Sequence, residues 1–387
     1  MVTGTTSSNM QSLFAHEFPL EEGLIYLNHA AVSPWPRRTA AAVRRFADDN
    51  LYRGSRNYPG WLETEARLRQ RLARLINAPS EQDIALLKST SEGLSVIAHG
   101  LEWSNGDNVV IPADEFPSNR IVWESLEPLG VEVRQVDLQD GESPEAALFA
   151  RMDERTRLLS VSAVHYASGL RMDLRSMGRA CRRHGVLFCI DAIQWLGALP
   201  FDVQSAQADF VVADGHKWML GPEGVALFYC RADLRERLAL HQYGWHMVEH
   251  CGEFDRQHWR PAASARRFEC GSPNLLGAHA LDASLSLLEE VGLEEVSRLV
   301  LMNSEYLIDL MAKDDNLELL TSPQDGRYAG IVTFRHRRLA ATDLYRQLMH
   351  AGVMCAQRGG GVRFSPHFYT PLQHLERALA LVRQQAG

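Results

Sequence analysis

Seven short aliphatic or β-branched runs, each followed by a polar, amphipathic stretch long enough for a helix, predict a doubly wound α/β domain on a mainly parallel seven-stranded sheet. A change in element spacing after Gly292 predicts a second, smaller α+β domain. The 387 residues suffice for two domains, and 45% hydrophobic with 23% charged residues is the balance of a folded globular chain.

Residues 1–22 read as an N-terminal segment, Thr/Ser-rich at its start and without the apolar core of a secretory signal. The large domain is expected over 23–273, with strands at 84–87, 108–111, 131–136, 158–164, 186–190, 210–213 and 225–229. Before the first strand, 61–76 sets Leu62, Leu68, Leu72 and Leu75 at helical spacing, which predicts one buried stripe with the intervening arginines on a solvated face. A nearly breaker-free pattern over 275–310, interrupted at Gly292, predicts a linker helix opening the 274–387 unit. Strands at 330–334, 352–355 and 362–365 and a helix at 341–351 complete that unit.

A net charge of -8 gives no attraction for phosphate backbones or anionic lipid, so neither nucleic acid nor a membrane is expected as a partner. The longest apolar runs, such as 224–230, are too short to span a bilayer. Six cysteines (Cys181, Cys189, Cys230, Cys251, Cys270 and Cys355) form no C-x-x-C pair, which argues against a disulfide framework or zinc knuckle and fits a cytoplasmic protein. His241, His246, His250 and His258 crowd one segment with Trp245 and Cys251. Their spacing fits neither a zincin helix nor a finger, so no metal site is assigned and the segment is expected to cover the mouth of the active site.

In open α/β sheets ligands collect at the carboxyl ends of the strands. After the first strand comes Lys88-Ser89-Thr90-Ser91-Glu92-Gly93. Free amides at a helix N-terminus beside hydroxyls make a phosphate seat, although the same segment reads equally as an ordinary Ser/Thr cap with an acid in the first turn. Asp191-Ala192-Ile193-Gln194 follows the fifth strand, and Asp214-Gly215-His216-Lys217-Trp218 follows the sixth. If those strands are neighbours, acid and lysine face one crevice. They then form either a surface ion pair of little worth or a pyridoxal phosphate site, with a lysine Schiff base and a carboxylate that keeps the pyridine nitrogen protonated.

The second reading is strengthened by a resemblance. The Asp191 and Lys217 runs, with Gly221-Pro222-Glu223-Gly224 behind them, resemble the class V aminotransferases of pyridoxal phosphate fold type I. That group also holds cysteine desulfurases, isopenicillin N epimerase-like enzymes and kynureninases. Tyr26-Leu27-Asn28-His29, Thr90-Ser91-Glu92-Gly93, Glu115-Phe116-Pro117-Ser118, Gly271-Ser272-Pro273-Asn274 and Arg363-Phe364-Ser365-Pro366-His367 fall in the family's order, so the resemblance covers nearly the whole chain.

The resemblance implies a homodimer with shared active sites and pyridoxal 5'-phosphate as cofactor. It implies Lys217 as Schiff-base lysine and proton carrier, Asp191 on the pyridine nitrogen and Gln194 on the ring oxygen. Thr90 and Ser91 would seat the phosphate, with Asp214 and His216 beside them and Ser272 reaching it from the neighbouring subunit. Phe116 would stack on the ring, Arg363 would fork onto the substrate carboxylate, and Asn28 and His29 would border the substrate. Read singly, His29 and His216 are equally satisfied buried histidines, Phe116 a core residue and Arg363 the partner of a structural carboxylate. Whether His165 or Tyr166 faces the cofactor is left open.

Cysteine desulfurases carry a persulfide-forming cysteine in a loop shortly before that arginine. Residues 357–362 contain none, and Cys355 falls on the expected strand 352–355. That disfavours desulfuration, and the first expectation is an amino acid aminotransferase, because transamination needs only the cofactor, Lys217 and a carboxylate clamp. Elimination, desulfuration-like lysis or epimerisation is the alternative, and a cofactor-binding protein without catalysis is a third reading.

Overall fold

The computed structural model describes residues 13–384. The described chain enters through β1 (Ile25–Tyr26), α1 (Arg37–Arg53) and α2 (Tyr58–Leu75). The central layer then alternates β2 (Ile84–Leu87), α3 (Thr90–Gly100), β3 (Asn108–Pro112), α4 (Pro117–Glu124), β4 (Glu132–Val136), α5 (Pro144–Phe149) and β5 (Thr156–Ser162). It closes with α6 (Leu174–His184), β6 (Leu187–Asp191), β7 (Phe210–Asp214) and β8 (Ala226–Cys230). After α7 (Leu275–Val291) and α8 (Leu293–Ala312) come β9 (Leu317–Leu319), β10 (Val332–His336), α9 (Ala341–His350), β11 (Val353–Met354), β12 (Ala356–Arg358), β13 (Gly361–Phe364) and α10 (Leu372–Gln384).

All seven expected runs are strands of one sheet, in the order β2-β8-β7-β6-β5-β3-β4. Every pairing is parallel except those of β8, which runs against both β2 and β7. Two apolar clusters cover the two faces, which is why β3, β7 and β8 are buried along their whole length and read as unbroken apolar runs. The strand order reverses between β3 and β5, so the loops after β3, β5, β6 and β7 open onto one crevice. Gly93 sets the close approach of α3 to the sheet, since a Cβ there would lie 2.7 Å from Val212 Cγ1.

The stripe expected on α2 holds at Leu68 and Leu72 but begins at Trp61, not Leu62. Leu68 and Leu72 are fully buried and Trp61 is 5% exposed, but Leu62 is 40% exposed. The buried face follows 61, 65, 68 and 72, and position 62 lies about 100° off that line. Nor are all its arginines solvated. Arg69 is interior, pairing with Glu65 at 2.7 Å and Glu269 at 2.5 Å, and Arg71 pairs with Asp282 at 2.8 Å.

The expected long helix is two helices parted at Gly292, whose φ of +85° favours glycine. Beyond them β12-β13-β10-β9 form an antiparallel sheet. The strand expected at 352–355 is divided into β11 and β12, with Cys355 between them. β1 pairs in parallel with β11, and Ile25 and Leu27 sit in the apolar core of this C-terminal unit. Among the described residues, no helix is long and apolar enough to cross a membrane.

Candidate active site

Asp191 closes β6, and Lys217 lies three residues beyond β7, the adjacent parallel strand. Asp191 is buried, and Lys217 is half-buried at the crevice. Burial pushes the Lys217 ammonium down to about 8, against the opposing pull of Asp191 and with the further repulsion of Arg363. Burial likewise raises the Asp191 carboxyl. Asp191 Oδ2 accepts 2.7 Å from Asn119 Nδ2, and Oδ1 accepts 2.9 Å from the Ile193 N–H. Phe116, at the start of α4, places its ring centroid 5.9 Å from Lys217 Nζ. At 41% exposed, it is a wall of the crevice and not a core residue.

The end of β7 and the start of α3 are tied together. The Thr90 N–H donates to Asp214 Oδ2 at 3.0 Å, and the Asp214 N–H donates to Thr90 Oγ1 at 3.1 Å. Ser89 is the N-cap, accepting from the Glu92 N–H at 3.2 Å, so Thr90 and Ser91 are the first residues of the helix proper. Ser91 Oγ lies 2.9 Å from Ser118 Oγ on α4. His216 Nδ1 is buried without a hydrogen bond, 3.8 Å from Asp214 Oδ1. Ser272 is exposed in the loop before α7, in a depression it shares with Lys88 and Glu92 rather than with Lys217.

Arg363 on β13 is 2% exposed and has no carboxylate partner among the described residues. Its Nη1 donates to the Tyr166 carbonyl at 2.5 Å, and its Nε is buried without a partner. Burial, with the nearby Arg358, lowers its pKa to about 9. Asn28 Oδ1 is also buried and unpartnered. Gln194 is fixed by its neighbours: Trp218 Nε1, which can only donate, gives to Oε1 at 2.8 Å, and Nε2 donates to the Ala30 carbonyl at 3.0 Å. One N–H of Gln194 remains.

His29 does not border an open crevice. It is fully buried, with Nδ1 2.8 Å from the Ser365 carbonyl and Nε2 2.6 Å from the Tyr369 hydroxyl. Its role is to join the chain entry to the loop after β13. Of the pair after β5, His165 spends both ring nitrogens on Ser168 Oγ and the Asp114 carbonyl, each at 2.8 Å. Tyr166 instead packs edge-on against Phe116 with centroids 5.3 Å apart, so Tyr166 joins the aromatic wall.

Sequence reasoning passed over Asn119 and Glu115. Glu115 is enclosed with no cation beside it. Its carboxyl accepts from the Ser162 N–H and pairs with Ser162 Oγ, both at 2.6 Å, and burial pushes it up to about 7. Ser162 is the register partner of Asp191. The signal for Glu115 was the Glu115-Phe116-Pro117-Ser118 run itself, whereas no local pattern pointed to Asn119.

The histidine segment makes its described contacts with parts of the large domain other than the Lys217 loop. It packs on the end of α3 and on the 265–271 turn: His241 Nε2 lies 2.5 Å from the His99 carbonyl, and Arg266 binds the carbonyls of His246 and Val248. Gly244 closes onto the Cys270 carbonyl where no side chain fits. Glu65, His246 and Glu269 come within 4.8 Å of one another, but Arg69 is the cation among them. Cys355 is 2% exposed, and burial raises its thiol to about 12. The loop before Arg363 is a two-residue turn, Gly359-Gly360, with Arg358 paired to Gly361 across it.

The sequence profile described as aminotransferase class-V matches residues 25–377. A probable cysteine desulfurase of Methanothermobacter thermautotrophicus is 28% identical over 393 aligned residues, spanning 96% of this chain and 97% of its own. An uncharacterized aminotransferase of Bacillus subtilis is 28% identical over 362, spanning 94% of each. Among solved structures, the Escherichia coli cysteine desulfurase CsdA superposes with a TM-score of 0.86 at 21% identity over 97% of this chain and 98% of its own. The cystine C–S lyase C-DES, solved with its reaction product cysteine persulfide, gives 0.87 at 22% identity over 94% and 99%.

Proposed function

The chain belongs to the aminotransferase class-V family, and from that premise we propose that it transforms an α-amino acid whose carboxylate is held by Arg363. It is a pyridoxal phosphate-dependent enzyme. The residues fit that group: Lys217 is the one amine at the crevice, Asp191 is a buried acceptor beside it, and His216 Nδ1 and Asn28 Oδ1 are buried polar atoms awaiting partners. When bound, pyridoxal phosphate supplies an aldehyde that condenses with amines and a ring that accepts the electron pair released at the substrate α-carbon.

The observation that carries the proposal is the buried guanidinium of Arg363 with an idle Nε and no acid beside it. A desolvated cation without a counter-ion is costly unless a ligand supplies one, and a carboxylate matches its planar fork. Asp191, oriented by Asn119 and the Ile193 N–H, would hold a proton on the ring nitrogen. Lys217 Nζ, whose burial makes it easy to neutralise, takes the α-proton. Phe116 walls the crevice beside Nζ, with Tyr166 packed against it. Thr90, Ser91 and His216 would hold the phosphate end.

Transamination needs no group beyond these, and it is the reaction proposed. A second reading, C–S bond cleavage, is favoured by the similarity to a probable cysteine desulfurase and to a cystine C–S lyase. Cys355 is sealed between β11 and β12, and the Gly359-Gly360 turn gives no loop to carry a thiol, so in that reading the sulfur leaves on the product. Mass spectrometry of amino acid mixtures incubated with the holoenzyme, with and without a 2-oxo acid, separates the two. Turnover only with the 2-oxo acid supports transfer, and turnover without it, releasing a sulfur-bearing product, replaces transfer with cleavage.

The enzyme acts as a homodimer in the cytoplasm. Ser272, exposed and away from Lys217 of its own subunit, is free to serve a neighbour's site, and six free cysteines suit a reducing compartment.

A further inference from the structure

We propose that Arg358 is a specificity-determining residue that binds a second anionic group on the substrate, so that the amino acid or the 2-oxo acid using this site is a diacid. This rests on the reading of Arg363 as the clamp for the first carboxylate. The basis is register. In the β12–β13 pairing Arg363 lies opposite Ala356 and Arg358 opposite Gly361. Residues directly opposite share a face, and 361 and 363 share theirs by alternation, so both arginines project from one face of the hairpin. Arg358 is the diagonal neighbour of Arg363, roughly 7 to 8 Å away in such a pair and within reach of long side chains.

That face is turned to the crevice, since Arg363 Nη1 reaches the Tyr166 carbonyl at the aromatic wall, and the charge of Arg358 bears on both Lys217 and Arg363. The hairpin is held in place. Gly359 and Gly360 have φ of +56° and +78°, a turn that glycine adopts without strain, and Gly359 lies against Ala167, next to Tyr166. Arg358 is exposed, and its one hydrogen bond is from Nη1 to the adjacent Gln357 carbonyl at 2.7 Å. Among the described residues it makes no ion pair, unlike Arg335 and Arg383 of the same unit, which pair with Glu318 at 2.6 Å and Asp314 at 2.9 Å.

An enclosed cation at Arg363 and a solvated one at Arg358 therefore border one opening, with no acid to neutralise either. A ligand with two anionic groups separated by roughly two or three carbons spans a diagonal pair of this kind. The solvated outer arginine discriminates between ligands, while the buried inner one supplies the common anchor.

The test uses the holoenzyme and unreactive acids, read by the absorbance of the bound cofactor. Glutarate and succinate are titrated against butyrate, with wild type, Arg358→Gln and Arg363→Gln. The proposal expects the diacids to bind wild type about 10- to 100-fold tighter than butyrate, the ratio a charge-assisted contact gives. It expects Arg358→Gln to bring diacids down to the butyrate level, and Arg363→Gln to weaken all three. Equal binding of mono- and diacids by wild type, or a preference that survives Arg358→Gln, overturns it. If no acid perturbs the spectrum, the Arg363 clamp is wrong and the proposal falls with it.

Discussion

Glu115 and Arg363 are buried ionisable residues with no opposite charge paired to them among the described residues, and each yields a measurable consequence. The Glu115 carboxyl sits at about 7, above its ordinary 4.5. Between those values the folded state holds a proton that the unfolded chain has lost, so Glu115 contributes stability that is present below pH 4.5 and lost as pH rises through 7. Glu115→Gln keeps a donor and an acceptor for Ser162 but does not titrate. Chemical denaturation from pH 5 to 8 should therefore show a shallower decline in the variant, and parallel curves would remove Glu115 from the titrating set. Lys217 has the opposite sign. With its folded value near 8 against an ordinary 10.5, apoprotein stability should rise as pH increases through that interval. Arg363→Met should preserve or raise the melting temperature, because it removes an unpaired buried charge. The same change should weaken carboxylate substrates by about 1.5 to 3 kcal/mol. Unchanged kinetics would show that another group holds the carboxylate.

At the scale of elements, the lysine loop is positioned by backbone contact. Gly197 has φ of +94°, and a Cβ there would lie 2.2 Å from the Trp218 carbonyl, one residue from Lys217. Gly197→Ala should cost more than about 1 kcal/mol in stability and loosen the cofactor, as measured by its dissociation under dialysis. Wild-type retention would mean that the Lys217 loop is held elsewhere. Cys355→Ala, between β11 and β12, should leave turnover intact apart from a packing cost. Lost activity in a folded, cofactor-loaded variant would restore a thiol mechanism. The strands and the Asp191 and Lys217 positions were legible because a doubly covered sheet leaves unbroken apolar runs, and its ligand groups follow them in sequence. Asn119 was not legible, because it reaches Asp191 across 72 positions and only the strand order brings them together. His29 was misleading for a similar reason: its partners Ser365 and Tyr369 lie 336 and 340 positions away, so no local pattern showed that both ring nitrogens would be satisfied in the interior. Leu62 failed because leucines at nearly helical spacing do not show at which residue the buried stripe begins.

For the whole molecule, the crevice combines loops from β3, β5, β6 and β7 with β13 of the C-terminal unit, so in the proposed reading the large sheet would supply the cofactor groups and the small sheet the substrate groups. Sedimentation should show a dimer, and a fully active monomer would refute shared sites and leave Ser272 without a role. The central claim is that Lys217 carries the cofactor, and the composition makes it unusually easy to test. The chain has three lysines, Lys88, Lys217 and Lys313, and of these Lys88 and Lys313 are exposed. Borohydride reduction of the yellow holoenzyme followed by peptide mapping should place the pyridoxyl mass on the peptide containing Lys217, with Lys88 and Lys313 unmodified. A label on either exposed lysine in place of Lys217, or a protein that takes up no pyridoxal phosphate, would contradict it.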